Sequence, residues 1–186
     1  MNTLPKRKSI RLKGYDYGSE GAYFVTICTH DKKCTLSRIR RDDPCGRPRI
    51  ELTELGKIAD EAVFAIENKY KVTVSDCSIM PNHIHLIIFI PKERTGASPV
   101  PTLSKIVGSY KSIIAVDYLS LCKSRGIVMG SLWQNKFYDH IIRDEDDYLT
   151  KAQYIENNPA KWIEDKYYIK AVSYTHLRAH ETGAYL

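Results

Sequence analysis

The sequence predicts an α+β protein, a ferredoxin-like β-α-β-β-α-β sandwich with an additional C-terminal helix. Three observations predict it. Four short segments are rich in aromatic and β-branched residues and read as strands, two of them flanking a Pro81-Asn82 turn signal. Three longer segments repeat apolar residues at helical spacing. The two kinds follow one another in the order β-α-β-β-α-β-α, with no internal repeat.

Residues 22–29 (AYFVTICT) read as a buried strand. A polar loop with Asp31, Pro44, Gly46 and Pro48 follows. Residues 52–70 place Leu55, Ile58, Ala62, Phe64, Ala65 and Ile66 at amphipathic helical spacing, with Glu51 or Thr53 near the start. Residues 72–80 alternate as a second strand. Residues 83–90 (HIHLIIFI) form a third, so 72–90 is a hairpin. Residues 91–101 are a Pro/Gly/Ser loop. A helix over 103–121 runs through Leu103, Ile106, Val107, Tyr110, Ile113, Ile114 and Leu121. A Gly-containing loop leads to Trp133, for which core packing is the favoured role. Residues 137–142 (FYDHII) are a short fourth strand. The last helix, 144–158, has acids in its first turn, where the helix dipole favours them. Pro159 stops it.

At 186 residues, one compact domain is the default, and 43% hydrophobic residues suffice for a core. The most apolar stretch, 84–90, has strand length, which argues against a membrane protein. The basic N-terminus lacks an apolar segment behind it, so it is not a secretory signal. The five cysteines are odd in number and lack C-x-x-C spacing. They read as free thiols in a reducing cytoplasm, not as a disulfide framework or zinc knuckle.

The net charge of +6 fits a polyanionic partner. Lys6, Arg7, Lys8, Arg11 and Lys13 precede the first acid, Asp16. They read as an arm that meets phosphate, or as a merely solvated terminus. The stretch 172–182 (VSYTHLRAHET) has no clear periodicity and looks like a translated sequencing-library adapter. Residues 172–186 are therefore set aside as a non-native read-through tail. His176, His180 and Tyr174 drop out as site candidates. His30, His83, His85 and His140 remain.

Two constellations carry chemistry. In His83-Ile84-His85, residues i and i+2 of a strand point to the same face. Two neutral imidazoles side by side suit a divalent cation, whereas a surface pair on a half-exposed strand is the plain alternative. Tyr154 and Asn158 stand one helical turn apart and share a face. A tyrosine hydroxyl becomes a useful nucleophile when aimed at a phosphorus whose charge a metal partly neutralises. The Asn carbonyl offers an oxygen ligand. Alone the tyrosine means little, since the chain has 13 of them.

The segments GYDYGSEGAYFVTICTHDKKC, MPNHIHLIIFI, LSKIVGSYKS, LWQNKFYDHIIRDEDDY and YIENNPAKW occur in this order. Together they resemble the REP-associated tyrosine transposases, relatives of the single-tyrosine HUH transposases of bacterial insertion sequences. The resemblance spans residues 7–162. It implies that His83 and His85 hold Mg²⁺ or Mn²⁺ and that Tyr154 is the nucleophile. Asn158 stands where related insertion-sequence enzymes have a glutamine that completes the metal site. His140 also fits a family position, with a supporting, DNA-contacting or structural role.

The implied domain layout is a basic arm at 1–20, an HUH transposase-like catalytic domain at 21–171 and the tail at 172–186. The implied reaction is metal-dependent cleavage and rejoining of single-stranded DNA at hairpins of the repetitive extragenic palindrome type, through a 5′-phosphotyrosine. The phosphotyrosine conserves bond energy, so no nucleotide cofactor is expected, and no G-x-x-x-x-G-K-[ST] loop occurs. Lys105 and Lys111 are expected to reach phosphate beside the arm, and Tyr15, Tyr17 or Trp133 to stack on unpaired bases. A monomer or homodimer in the bacterial cytoplasm, associated with the nucleoid, is expected. The rival readings are a domesticated, non-catalytic hairpin-binding protein and an RNA-binding ferredoxin-like protein.

Overall fold

The computed structural model of the chain describes residues 20–40, 48–91 and 101–168. The expected basic arm, with Lys6, Arg7, Lys8, Arg11, Lys13, Tyr15 and Tyr17, lies outside the described residues, as does the tail at 172–186. In chain order the main elements are β1 (Gly21–Cys28), β2 (Ser37–Arg40), β3 (Arg49–Leu52), α1 (Glu54–Tyr70), β4 (Thr73–Ile79), β5 (His83–Ile90), α2 (Leu103–Ser124), β6 (Tyr138–Ile142) and α3 (Glu145–Asn157). Four strands form one sheet in the order β4-β5-β1-β6, each neighbouring pair antiparallel. That is the expected ferredoxin-like arrangement, with α3 as the additional helix.

Period-two alternation on the two central strands sorts the chemistry to one side and the core to the other. Tyr23, Val25 and Ile27 of β1 join Ile84, Leu86, Ile88 and Ile90 of β5 in the main core. Helices α1 and α2 cover that face with Leu55, Ala59, Ala62, Ile66, Leu103, Ile106, Val107 and Ile114. The buried Tyr110 hydroxyl donates to Ala59 O at 2.7 Å and ties the two helices together. The residues in between, Phe24 and Ile87, turn to the opposite face and meet Ile155, Tyr148 and Ala152 of α3.

Local chemistry sets the helix ends. The side chains of Thr53, Thr102 and Asp144 cap α1, α2 and α3 by accepting backbone N–H groups of their first turns. The structure starts α1 and α3 one to two residues later than periodicity suggests and carries α2 on to Ser124. Gly126 then takes a φ of +65°, a conformation glycine reaches without strain.

The segment expected to be a polar loop holds a two-stranded antiparallel ribbon, β2 with β3. Its root is well fastened. Leu36 N donates to Pro81 O at 3.0 Å, and Ser37 Oγ donates to Ile79 O at 2.7 Å. Thr53 N donates to Leu36 O at 2.9 Å. The start of α1 presses so close that a Cβ on Gly56 would lie 2.1 Å from Leu36 O. The ribbon thus springs from the turn just before His83.

Candidate active site between the sheet and the last helix

His83 and His85 open β5 on the α3 face and are 0% and 1% exposed. Their nitrogens are committed in a way that fixes one tautomer. Both amide hydrogens of Asn82 are used, on Tyr167 O (2.8 Å) and Lys32 O (3.2 Å). Asn82 Oδ1 therefore accepts, and His83 Nδ1 donates to it at 2.9 Å. That leaves the lone pair of His83 on Nε2, which faces His85 Nε2 at 2.9 Å. On the far side of His85, Nδ1 lies 2.9 Å from Thr26 Oγ1, a hydroxyl able to donate or accept. Thr26 stands directly across the sheet from His85. Burial pushes His83 down to about 3, aided by Lys166 and Lys32. Burial, then the neighbouring His83, holds His85 well below the ordinary imidazole value. Both rings are neutral at neutral pH, as metal ligands must be.

Tyr154 comes from α3 and is 38% exposed. Its ring packs edge-on to Phe24 and to His85, with centroids 5.9 Å and 5.2 Å away. Its hydroxyl donates to Asp165 Oδ2 at 3.0 Å. Burial raises its pKa, and the charge of Asp165 raises it further. Asn158 is 2% exposed. Its Nδ2 donates to the same Asp165 oxygen at 2.9 Å, while its buried Oδ1 has no hydrogen-bond partner among the described residues. An orphaned buried acceptor is unusual and calls for an explanation.

Asp165 is the site residue that sequence reasoning missed. It follows a short 3₁₀ turn, Trp162–Glu164, which brings the chain back over the histidines. The rings of Trp162 and Tyr167 lie 5.9 Å and 4.6 Å from that of His83. Asp165 Oδ1 accepts from Tyr167 N at 2.6 Å. Ligand atoms of His83, His85 and Asp165 all fall within 4.8 Å of one another. Two imidazole nitrogens and a carboxylate form a mixed N/O donor set of the kind divalent cations take, and Asn158, bonded to that carboxylate through Nδ2, keeps an unpartnered oxygen. No spacing rule marked Asp165, one of two adjacent acids in the stretch beyond Pro159.

Beside this cluster lies a cavity of about 700 Å³, lined by Tyr154, Asn158 and Asp165 with Lys151, Lys161 and Lys166. The hydroxyl of Tyr154 is thus held between a cation-type donor cluster and an open, lysine-flanked space.

The other expected site residues are placed elsewhere. His140 Nε2 bonds to the Asp147 carboxylate at 2.8 Å, which fixes the start of α3 to β6. It is not among the side chains that converge with His83. Lys105 is exposed on the first turn of α2. Lys111 departs from expectation: it turns inward, donates to Gln134 O at 2.6 Å and has its pKa lowered by burial. A six-residue separation sends the two lysines to different sides of the helix. Trp133 packs against the core, and its indole N–H donates to Lys111 O at 3.2 Å. Cys28, Cys34, Cys77 and Cys122 are unpaired thiols. Among the described residues no helix is long and apolar enough to cross a membrane.

Comparison with known proteins points in one direction. A protein of Haemophilus influenzae with no assigned function is 33% identical over 175 residues, covering 88% of this chain and 93% of its own. A second protein of the same organism, provisionally named a REP-associated tyrosine transposase, is 29% identical over 148 residues, covering 78% and 74%. The fold is similar to that of a REP-associated tyrosine transposase solved with a REP hairpin. The TM-score is 0.52 at 18% identity, covering 87% of this chain and 74% of the other. Residues 47–158 match the family model described as IS200-like transposase, and the chain belongs to that family.

Proposed function

We propose that the protein is a divalent-metal-dependent transposase that cleaves and rejoins single-stranded DNA beside a hairpin, using Tyr154 as nucleophile. The observation that carries this is the meeting of two elements on one carboxylate. Asp165 joins the Tyr154 hydroxyl at 3.0 Å to the histidine pair. The hairpin substrate is supported by the relative provisionally named a REP-associated tyrosine transposase and by the similar fold that was solved with a REP hairpin.

His83 and His85 would hold Mg²⁺ or Mn²⁺, with oxygen from Asp165 and Asn158. A bound ion supplies charge neutralisation at the scissile phosphate. The chain's own residues do the rest. Asn82 and Thr26 fix the two rings by their Nδ1 atoms, keeping both Nε2 atoms on one point. Phe24 and His85 hold the Tyr154 ring edge-on and aim its oxygen. The Tyr154 oxygen attacks phosphorus, the bond to the 3′ oxygen breaks, and that oxygen leaves as a hydroxyl after taking a proton. The DNA's 5′ phosphate remains on the tyrosine. A 3′ hydroxyl reverses the step and releases the phenol. Asp165 Oδ2 is the hydrogen-bond acceptor seen at the phenolic proton. Lys151, Lys161 and Lys166 line the cavity through which the charged strand would pass.

The test is a covalent-adduct gel with an end-labelled single-stranded oligonucleotide bearing a hairpin, run with Mn²⁺. The parent protein should yield a protein–DNA band, and Tyr154→Phe should bind the hairpin without forming it. An adduct that persists in Tyr154→Phe removes the tyrosine from the mechanism. An adduct on RNA but not on DNA removes the substrate class.

A further inference from the structure

The β2–β3 ribbon has two unlike faces. Arg38 stands opposite Glu51, and Arg40 opposite Arg49, so these four share one face. All four are exposed. The other face turns Ser37, Ile39, Ile50 and Leu52 toward the body, and Leu52 packs on the main core. The outer face thus sets three guanidinium groups against one carboxylate. Arg40 Nε takes that carboxylate at 2.6 Å. Two like charges directly opposite on paired strands oppose folding, so this face suits an external anion better than it suits the isolated protein. The connecting residues 41–47 carry two Arg and two Asp and leave the balance unchanged.

The shape narrows the anion. A two-stranded ribbon matches the width of the major groove of B-DNA. The deep, narrow major groove of A-form RNA does not admit it. The exposed face carries no aromatic side chain, so it offers no platform on which unpaired bases could stack. Position supplies the rest: the root of the ribbon is bonded to Ile79 O and Pro81 O, at the turn that leads into His83.

We propose that the Arg38–Arg40–Arg49 face of the ribbon is the contact surface for the duplex stem of a DNA hairpin, holding it so that its single-stranded flank runs to Tyr154. This deepens the function proposed above, and it rests on that reading for the flank alone.

The experiment compares the full-length protein with Arg38→Ala/Arg49→Ala. Fluorescence anisotropy is read with a DNA hairpin whose stem is about ten base pairs, one helical turn, and with a stemless oligonucleotide of equal length. Salt is varied from about 50 to 200 mM. For the hairpin, the slope of log affinity against log salt should shrink by about 2, and affinity should fall at least about tenfold. Binding and Tyr154 adduct formation on the stemless strand should not change. An unchanged hairpin slope, or an equal loss on both DNAs, overturns the proposal. An RNA hairpin held as tightly as the DNA through the same arginines overturns the assignment to DNA. Glu51→Gln, which removes the carboxylate from the face, should tighten the hairpin. Failure to do so overturns the proposal even where the double variant misfolds. A parent protein that forms no adduct yet shows the hairpin effect overturns the tyrosine reading and leaves the ribbon standing.

Discussion

Mild acid should destabilise this protein through its two buried histidines. Perturb only the pH, from 7 to 4.5, with metal chelated. In the unfolded chain each histidine takes a proton near its ordinary value of 6.5. In the fold His83 waits until about 3, and His85 is likewise held well below 6.5. The folded values are depressed, so the unfolded state binds more protons between those limits. Stability is therefore full above 6.5 and is lost as the pH falls. Each such group contributes about 1.4 kcal/mol per pH unit. Over two units that is about 3 kcal/mol for His83 alone, and His85 adds to it in the same direction. Against a total of roughly 5–15 kcal/mol for a domain, this is a large share of the stability. Carboxylates begin to enter only at the bottom of this window, near their ordinary values of about 4. Urea denaturation at pH 7.0, 5.5 and 4.5 reads the effect. Fluorescence of Trp162 is the probe, since the residue is 8% exposed and its ring lies 5.9 Å from His83. His83→Gln should reduce the pH slope by about 1.4 kcal/mol per unit. A stability constant to within about 1 kcal/mol down to pH 4.5 would refute the reasoning, because the rings would then be accepting protons inside the fold.

Other outcomes can be checked more briefly. Asn82→Ala frees His83 to rotate and change tautomer. Mn²⁺ affinity, read by electron paramagnetic resonance, should fall about 10- to 100-fold, and unchanged affinity would mean that Asn82 does not set the ring. Gly56→Ala gains about 1 kcal/mol of helix propensity. It also sets a methyl 2.1 Å from Leu36 O, where overpacking costs about 1–3 kcal/mol or more. The clash should win, so thermal melting should show a lower midpoint, and a higher one would show that the ribbon root can give way.

Much of the site was legible because strand periodicity is rigid. His83 and His85 had to share a face once β5 was recognised, and Tyr154 and Asn158 had to share one on α3. The ribbon escaped because its strands have four residues each, too few to establish a period, and they lie in a stretch broken by Pro44, Gly46 and Pro48. Asp165 escaped for a different reason. Its place depends on the chain reversing after Pro159 and seating Trp162 against His83, a tertiary event with no local signature. For Lys111 charge and spacing were visible, but not the backbone carbonyls of residues 134 and 135 that take its ammonium group.

The two halves of the site rest on elements of unequal permanence. The histidines belong to β5, which is hydrogen-bonded on both sides and buried along all but one of its eight residues. Tyr154 belongs to α3, which buries only Ile155. In a native protein the first kind of element opens only with global unfolding, whereas the second can open alone at lower free energy. Amide hydrogens of residues 84–88 should therefore exchange at the slowest rate in the molecule, and those of α3 markedly faster. An enzyme of the proposed kind, which must keep hold of one DNA end while another is brought to it, would benefit from that inequality. On the function proposed above, the histidine pair would stay put while the helix that carries Tyr154 opens and closes against it.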